Sequence, residues 1–495
     1  MRVVQNSQML LGQIAIAEIT FDPRSRDDIP KILRGLQHVY LNAPLRNAIF
    51  ALLETEIAPK VSKTQGRPGM PLWTILVCGV LRLDLNTDYD RLHELVNHHD
   101  TLRQMLGHSP DYPYTYAYQT LVDNVNLLTP ELLDKINTLV VKEGHLLLKK
   151  GDAALRGRCD SFVVKTDVHY PTDITLLYDA LRKAITLTAQ WCDQADCSEW
   201  RQYRYQIHQV KRLVRSAQNH KRRNAKAAVE TSQKPHPALV EAHRLLIEQA
   251  REQLTRVKTS VARLENLLPA PAQKARIEDV IRHAERQIDQ IHRRVIQGET
   301  IAHAEKVFSI YEPHTEWIVK GKAGVPVELG VRVCVMEDQY RFIVHHRVMT
   351  QETDEKVALP MVSDTQRKFA DFNACSFDKG FHSPDNQTAL KTHLAQVTLP
   401  RKGKLAQQAK ADEQADAFVK ARRAHSAVES AINALQVHGL DKCPDHGLPG
   451  FKRYVAFAVL ARNIHRLGDI VWQRDAERER RRQAALRGNA QKQAA

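Results

Sequence analysis

Three carboxylates in this chain stand in settings suited to holding divalent cations. Asp160 opens the apolar run Asp160-Ser161-Phe162-Val163-Val164, and Asp378 ends the run Asn373-Ala374-Cys375-Ser376-Phe377-Asp378, just before Lys379-Gly380-Phe381-His382-Ser383. Glu429 is the one carboxylate of Arg422-Arg423-Ala424-His425-Ser426-Ala427-Val428-Glu429-Ser430-Ala431-Ile432-Asn433, a helical stretch that also carries basic and imidazole groups. A strand Asp, a strand-end Asp and a helix Glu, in that order, offer hard oxygen ligands and no softer ones. Two divalent ions about 3.5–4 Å apart activate the attacking oxygen and stabilise the leaving one in an in-line displacement at phosphorus. The expected cofactor is a pair of Mg²⁺ (or Mn²⁺) ions, with Asp160 bridging both, Asp378 on one and Glu429 on the other.

An isolated Asp at a strand end is more often a cap or turn residue; order, context and the recurrence of three set these apart. Of the rivals for the first position, Asp167 follows the end of its apolar run, and Asp173, after Pro171-Thr172, reads as the cap of a helix starting at Ile174. His169, His314, His345, His346 and His382 form no HExxH or Cys/His metal pattern. The seven Cys include no CxxC pair, and an odd total suits a reducing compartment without disulfides or structural zinc.

These carboxylates need a scaffold that brings distant strands together. The reading is α/β: a mixed sheet core, an all-helical N-terminal domain and a long helical insertion. Residues 1–150 form that N-terminal domain, with helical spacing from Asp28 to Asn126, as in Leu33, Leu36, Val39 and Tyr40. With Arg91, His93, His98, His99 and Arg103 they form a candidate reader of DNA ends, or else a packing and dimerisation bundle. Residues 151–175 start the core with a strand at Asp160. A hairpin follows at Val325 to Met336 and Tyr340 to Met349, turning at Glu337-Asp338-Gln339, then a strand ending at Asp378 and a fifth at Ala395 to Leu399. Helices from about Ala409 to Gln436 and Gly450 to Trp472 complete the core at 306–472, and 473–495 is a basic segment read as a frayed helix and tail. Between them, 176–305 reads as a coiled-coil-like insertion broken at Ser232 to Pro237 and Leu268 to Pro271.

Taken together, these stretches resemble the DDE transposases of bacterial insertion sequences, whose catalytic core is ribonuclease H-like, and look closest to a not-yet-classified group of them. The matching segments are Cys159 to Leu177 with His169-Tyr170-Pro171-Thr172-Asp173, Ile310 to Lys322, Cys375 to Asp385, and Arg422 to Gly468, in the family's order. The resemblance implies that Asp160, Asp378 and Glu429 are the catalytic and metal-binding triad. It also implies a DNA transposase that cleaves strands at element ends and transfers them into target DNA. Several related transposases carry Tyr, Arg, Glu and Lys at fixed spacing on the last helix; here those places hold Arg422, His425, Glu429 and Gln436. The Glu is kept and its companions differ.

The net charge of +15 over 495 residues, with 43% hydrophobic content, fits a folded chain with a polyanionic partner. The expected partner is double-stranded DNA, as terminal inverted repeats and target, held by a homodimer in the cytoplasm of a bacterium and nucleoid-associated when bound. No membrane segment is expected. Candidate phosphate contacts are Lys320, Lys322, Lys379, Arg401, Lys402, Arg422 and His425 around the core. In the insertion they are Arg212, Arg215, Arg222 and Arg223, on a basic face with Trp191, Trp200, Tyr203 and Tyr205 upstream. An ordinary solvated helical face is the alternative for that insertion, and a catalytically inactive, transposase-derived repressor or end-binding protein is the alternative for the whole. Changing Arg212, Arg215, Arg222 and Arg223 to Gln is expected to flatten the plot of log affinity against log salt by roughly three to four units, at about 0.9 per contact. Fluorescence anisotropy across a salt series measures this; an unchanged slope assigns the face to solvent and the DNA path to the core loops.

Overall fold

The computed structural model describes residues 2–5, 8–22, 25–57, 65–110, 114–148, 154–227, 236–264, 271–319 and 326–494, without the side chains of 221–227, 271–272 and 485–494. Contacts divide the chain into two units, Met1–Asp167 with Ile318–Ala495, and Val168–Trp317. The N-terminal helices share the first unit with the sheet.

Those helices are α1 (Ile29–Leu41), α2 (Ala43–Ile57), α3 (Leu72–Asp84), α4 (Tyr89–His98), α5 (Asp100–Met105), α6 (Tyr118–Val125) and α7 (Pro130–Leu148). Every residue of α3 is buried, as expected of a helix that is apolar on nearly all sides. After α7 comes β1 (Leu155–Thr166). Asp160 does not open this strand, as the apolar run suggests, but is its sixth residue: Arg156 is exposed and Arg158 pairs with Glu337 at 2.9 Å, so both are carried inside the strand.

The second unit has its own core. Helices α8 (Asp173–Gln194), α9 (Tyr203–Ala227), α10 (Pro237–Leu264) and α11 (Pro271–Ile291) pack Leu177, Leu181, Val214, Leu246, Val257 and Ile288 against one another. Pro237 and Pro271 each start a helix, where a missing N–H costs nothing. The breaks themselves, at 228–235 and 265–270, lie outside the described residues. Asp173 is not the cap of α8 but its first residue. Thr172 caps it, accepting from the Thr175 N–H at 3.3 Å, while the Thr175 hydroxyl accepts from the Thr172 N–H at 2.9 Å. The Asp173 carboxylate instead pairs with Arg294 at 2.7 Å.

The remaining strands are β2 (Glu316–Val319), β3 (Val327–Asp338), β4 (Ile343–Met349), β5 (Phe372–Phe377), β6 (Gln396–Thr398) and β7 (Lys442–Cys443). They join β1 in a mixed seven-stranded sheet ordered β2-β3-β1-β5-β6, with β4 on β3 and β7 on β1. β3 and β4 are antiparallel neighbours of the β1 side, whereas β5 and β6 run parallel to β1 and to each other. β2 and β7 are too short to show a period in sequence. Among the helices here, α12 (Asp354–Lys368) and α13 (Pro384–His393) cover one face, sharing a core with Cys159, Cys334, Cys375 and Phe377. Phe162, Val164, Val331, Val333 and Val335 belong to the other core, with the N-terminal helices and those that end the chain.

Those last helices are α14 (Gln407–Gln414), α15 (Asp416–His425), α16 (Ala427–Leu435) and α17 (Gly447–Ala494). Where one helix was expected from about Ala409 to Gln436, there are three. Ala415 is extended (φ −56°, ψ 136°), and the Ser426 hydroxyl donates to the Arg423 carbonyl at 2.9 Å, turning the chain tightly before Glu429. The tail is also helical through Ala494 rather than ending at Trp472, consistent with its Arg, Gln, Glu and Ala content.

α1 and α17 cross closely because both are glycine at the crossing. A Cβ on Gly468 would lie 2.2 Å from the Lys31 carbonyl oxygen, and one on Gly35 would lie 2.3 Å from that of Ile464. Gly468→Ala gains about 1 kcal/mol of helix propensity but must push backbone apart, at a cost of about 1–3 kcal/mol or more. A net fall in thermal midpoint is expected by calorimetry; a rise would show that the crossing can open freely.

Candidate carboxylate site

Pairing in the sheet brings the two Asp together. β1 and β5 are parallel with Cys159 opposite Phe377, in neighbouring strands spaced about 4.7–4.9 Å apart, so Asp160 and Asp378 each follow directly on the last paired residue. β5 ends there while β1 continues to Thr166, leaving Asp378 exposed at the start of the turn Lys379–Phe381. By alternation Arg158 and Asp160 share a face of β1 with Phe162, and Ser376 and Asp378 share the same face of β5. Over that face lie α15 and α16, with Glu429 exposed in the first turn of α16.

Electrostatics link the three. The Asp160 carboxyl is pushed up to about 6 from 3.8, first by burial and also by the negative charges of Asp378, Asp354 and Glu429, while the Ser161 backbone N–H, donating to it at 2.7 Å, opposes the rise. His425 is lowered, first by burial and then by Arg158, while Asp378 and Glu429 act in the other direction. It shares a hydrogen bond of 3.0 Å with the Ser376 hydroxyl through Nδ1, and its buried Nε2 has no partner among the described residues.

Sequence reasoning missed Asp354. Its carboxylate accepts from the Ser161 hydroxyl at 2.6 Å, and a Cβ on Gly380 would lie 3.0 Å from its Oδ2. Ser161 is on the opposite face from Asp160, so Asp354 approaches from the α12 side of the sheet. The signal for α12 was present in Thr353-Asp354-Glu355 ahead of Val357, Ala358, Met361 and Val362, a helix start before helically spaced apolar residues.

The remaining candidates separate. Lys379 and Arg422 are exposed beside the carboxylates in sequence. Lys402 donates to the Gly380 carbonyl at 2.8 Å and lies 3.7 Å from Glu355, tying the loop after Asp378; Arg401 lies 3.8 Å from Asp412. Lys320 and Lys322 lie outside the described residues. Arg212 and Arg215 are exposed on α9 in the second unit, opposite buried Val210, Val214 and Ala217; the side chains of Arg222 and Arg223 are outside those described. The rival Asp167 pairs with Lys442 at 2.6 Å.

Among the described residues no group of three or more His, Cys, Asp and Glu side chains is gathered closely enough to hold a metal ion. The donor set at Asp160, Asp378 and Glu429 fits a hard divalent cation all the same: it is wholly carboxylate, and its charges already act against one another at Asp160. No helix among the described residues is long and apolar enough to cross a membrane. No protein-family model, curated protein or solved structure matches the chain.

An ionised Asp160 opposes folding above pH 6 or so, because its folded-state carboxyl holds its proton more tightly than the ordinary value of 3.8. Stability from this group therefore rises as pH falls from about 6 towards 3.8. Asp160→Asn is expected to raise stability at pH 8 by about 1–2 kcal/mol, after discounting for the site's access to water. The gap from wild type should close below pH 4. Mg²⁺ or Mn²⁺ should raise the thermal midpoint of wild type and not of the variant. A destabilised variant, or a cation effect that survives the substitution, would sink this account of the site.

Proposed function

We propose that this chain is a metal-dependent DNA phosphoryl transferase of the DDE transposase kind, built on a ribonuclease H-like core, which cleaves strands at insertion-sequence ends and joins them to target DNA. The observation that carries the reading is the parallel register that sets Asp160 beside Asp378, with Glu429 acting electrostatically on Asp160 from α16. An antiparallel pair on one side of β1 and parallel strands on the other support the ribonuclease H-like part of it.

Asp160, Asp378 and Glu429 would hold two Mg²⁺ or Mn²⁺ ions. When bound, such ions polarise a phosphodiester oxygen and lower the pKa of water or a 3′-hydroxyl. The chain's own groups orient the strand. Burial keeps His425 neutral at ordinary pH, and its bond to the Ser376 hydroxyl fixes the ring between the Asp378 and Glu429 charges that act on it. Lys379 and Arg422 supply exposed positive charge, and Lys402 holds the loop after Asp378 through the Gly380 carbonyl. Double-stranded DNA, bound by a homodimer, is the proposed partner.

A second reading is a DNA-binding protein descended from such an enzyme, acting as a repressor or end-binding factor. The exposed Arg212 and Arg215 on α9, carried by a unit with its own core, support it. The two separate on DNA carrying the inverted repeats that flank the coding segment. Wild type with Mg²⁺ is expected to nick the strand at the repeat, and Asp160→Ala to lose ~100-fold or more of that rate while binding the same DNA. Wild-type binding without divalent-dependent cleavage would select the second reading.

A further inference from the structure

Helix α15 has no buried residue. Between it and the sheet lies a cavity of about 430 Å³, within the roughly 300–1,000 Å³ typical of small-ligand sites. Among the described residues its cations are Arg156, Arg158, which also pairs with Glu337 at 2.9 Å, and Lys420, and no carboxylate lines it. Gln396 and Thr398 add donors and acceptors, while the Gln339 amide is tied to the backbone of Arg156 and Ala154 and the Ser376 hydroxyl to His425. Ala417, Ala421 and Ala424, on successive turns of α15, face Gly157 and Ala374 across it, so the helix side is flat and apolar.

Position narrows the ligand class. Arg158 precedes Asp160 by two residues on β1, and Ser376 precedes Asp378 by two on β5. Residues i and i+2 of a strand point the same way and sit about 6.6 Å apart, so the cavity adjoins the carboxylates on their own face. Cations, the Gln396 amide able to meet a base edge and a flat apolar wall together match an anionic planar ligand with polar edges. We propose that this cavity is a subsite for one unpaired nucleotide of a DNA strand, next to the reacting phosphodiester. Its phosphate lies toward Arg158 and Lys420, and its base lies along the alanines of α15. This rests on the phosphoryl-transfer reading.

The test uses the full-length protein and a fluorescein-labelled pentanucleotide in EDTA, read by anisotropy. Ala421→Leu fills the cavity with a good helix former, and Ala411→Leu on α14 is the control. Ala421→Leu is expected to weaken pentanucleotide binding at least about tenfold at unchanged thermal midpoint, since the added side chain occupies the site. Ala411→Leu should bind as wild type. Should Ala421→Leu fold poorly, Lys420→Gln replaces it and should lower the salt slope by roughly one unit. Binding undisturbed in the cavity variant, or equally undisturbed affinity and slope in Lys420→Gln, overturns the proposal. Competition by dAMP alone at the pentanucleotide's affinity also overturns it, by assigning the cavity to free nucleotide. Cavity-dependent binding in a protein that never cleaves DNA upholds the subsite and removes the enzymatic reading instead.

Discussion

Like charges held side by side at the end of a strand repel, and the rest of this fold is arranged around keeping them there. The element that does so is β1. It is the central strand, hydrogen-bonded to antiparallel β3 along nine positions from Gly157 to Lys165 and to parallel β5 on its other edge. Both its faces are covered by apolar cores. A strand so constrained cannot slip, because a one-residue slip would turn Asp160 into the core with Cys159. The repulsion then shows up as the raised Asp160 carboxyl and not as a displaced strand.

The two faces of β1 have different duties. On one, Arg158 and Asp160 lie in line with Ser376 and Asp378, beneath α15 and α16. On the other, Ser161 is tied to Asp354 at the start of α12, and the space left by Gly380 lets that carboxylate fit against the loop after Asp378. Adding a side chain at Gly380 would disturb both Asp354 and the approach of Asp378. The second unit is independent in its packing: its four helices bury their apolar faces on one another, leaving Arg212 and Arg215 exposed. A basic face carried by a self-sufficient helical unit can be altered without changing how the carboxylates are held.

Local sequence determined a good deal. Apolar periodicity marked α1, α3 and α10, β-branched runs marked the β3–β4 hairpin, and prolines marked breaks between the helices of the insertion, because helix period, strand propensity and a missing N–H act over a few residues. It also picked out Asp160, Asp378 and Glu429 as the carboxylates to watch, from order and neighbouring residue types. Where propensity and local context conflict, it was less informative: Ala415 and Ser426 divide a stretch whose composition is helical throughout, and α12 escaped notice although its start signal was present.

What only the tertiary structure decided is which of these groups act on one another. That Asp378 lies beside Asp160 depends on β5 pairing in parallel with β1, a contact between segments more than two hundred residues apart in the chain. That Asp354 joins them depends on α12 crossing beneath Ser161, and that a cavity opens under α15 depends on alanines facing a glycine and an alanine across a sheet. Spacing along a chain carries no record of long-range register; hydrogen bonding between strands and burial of both sheet faces set it, and with it the charge each carboxylate feels.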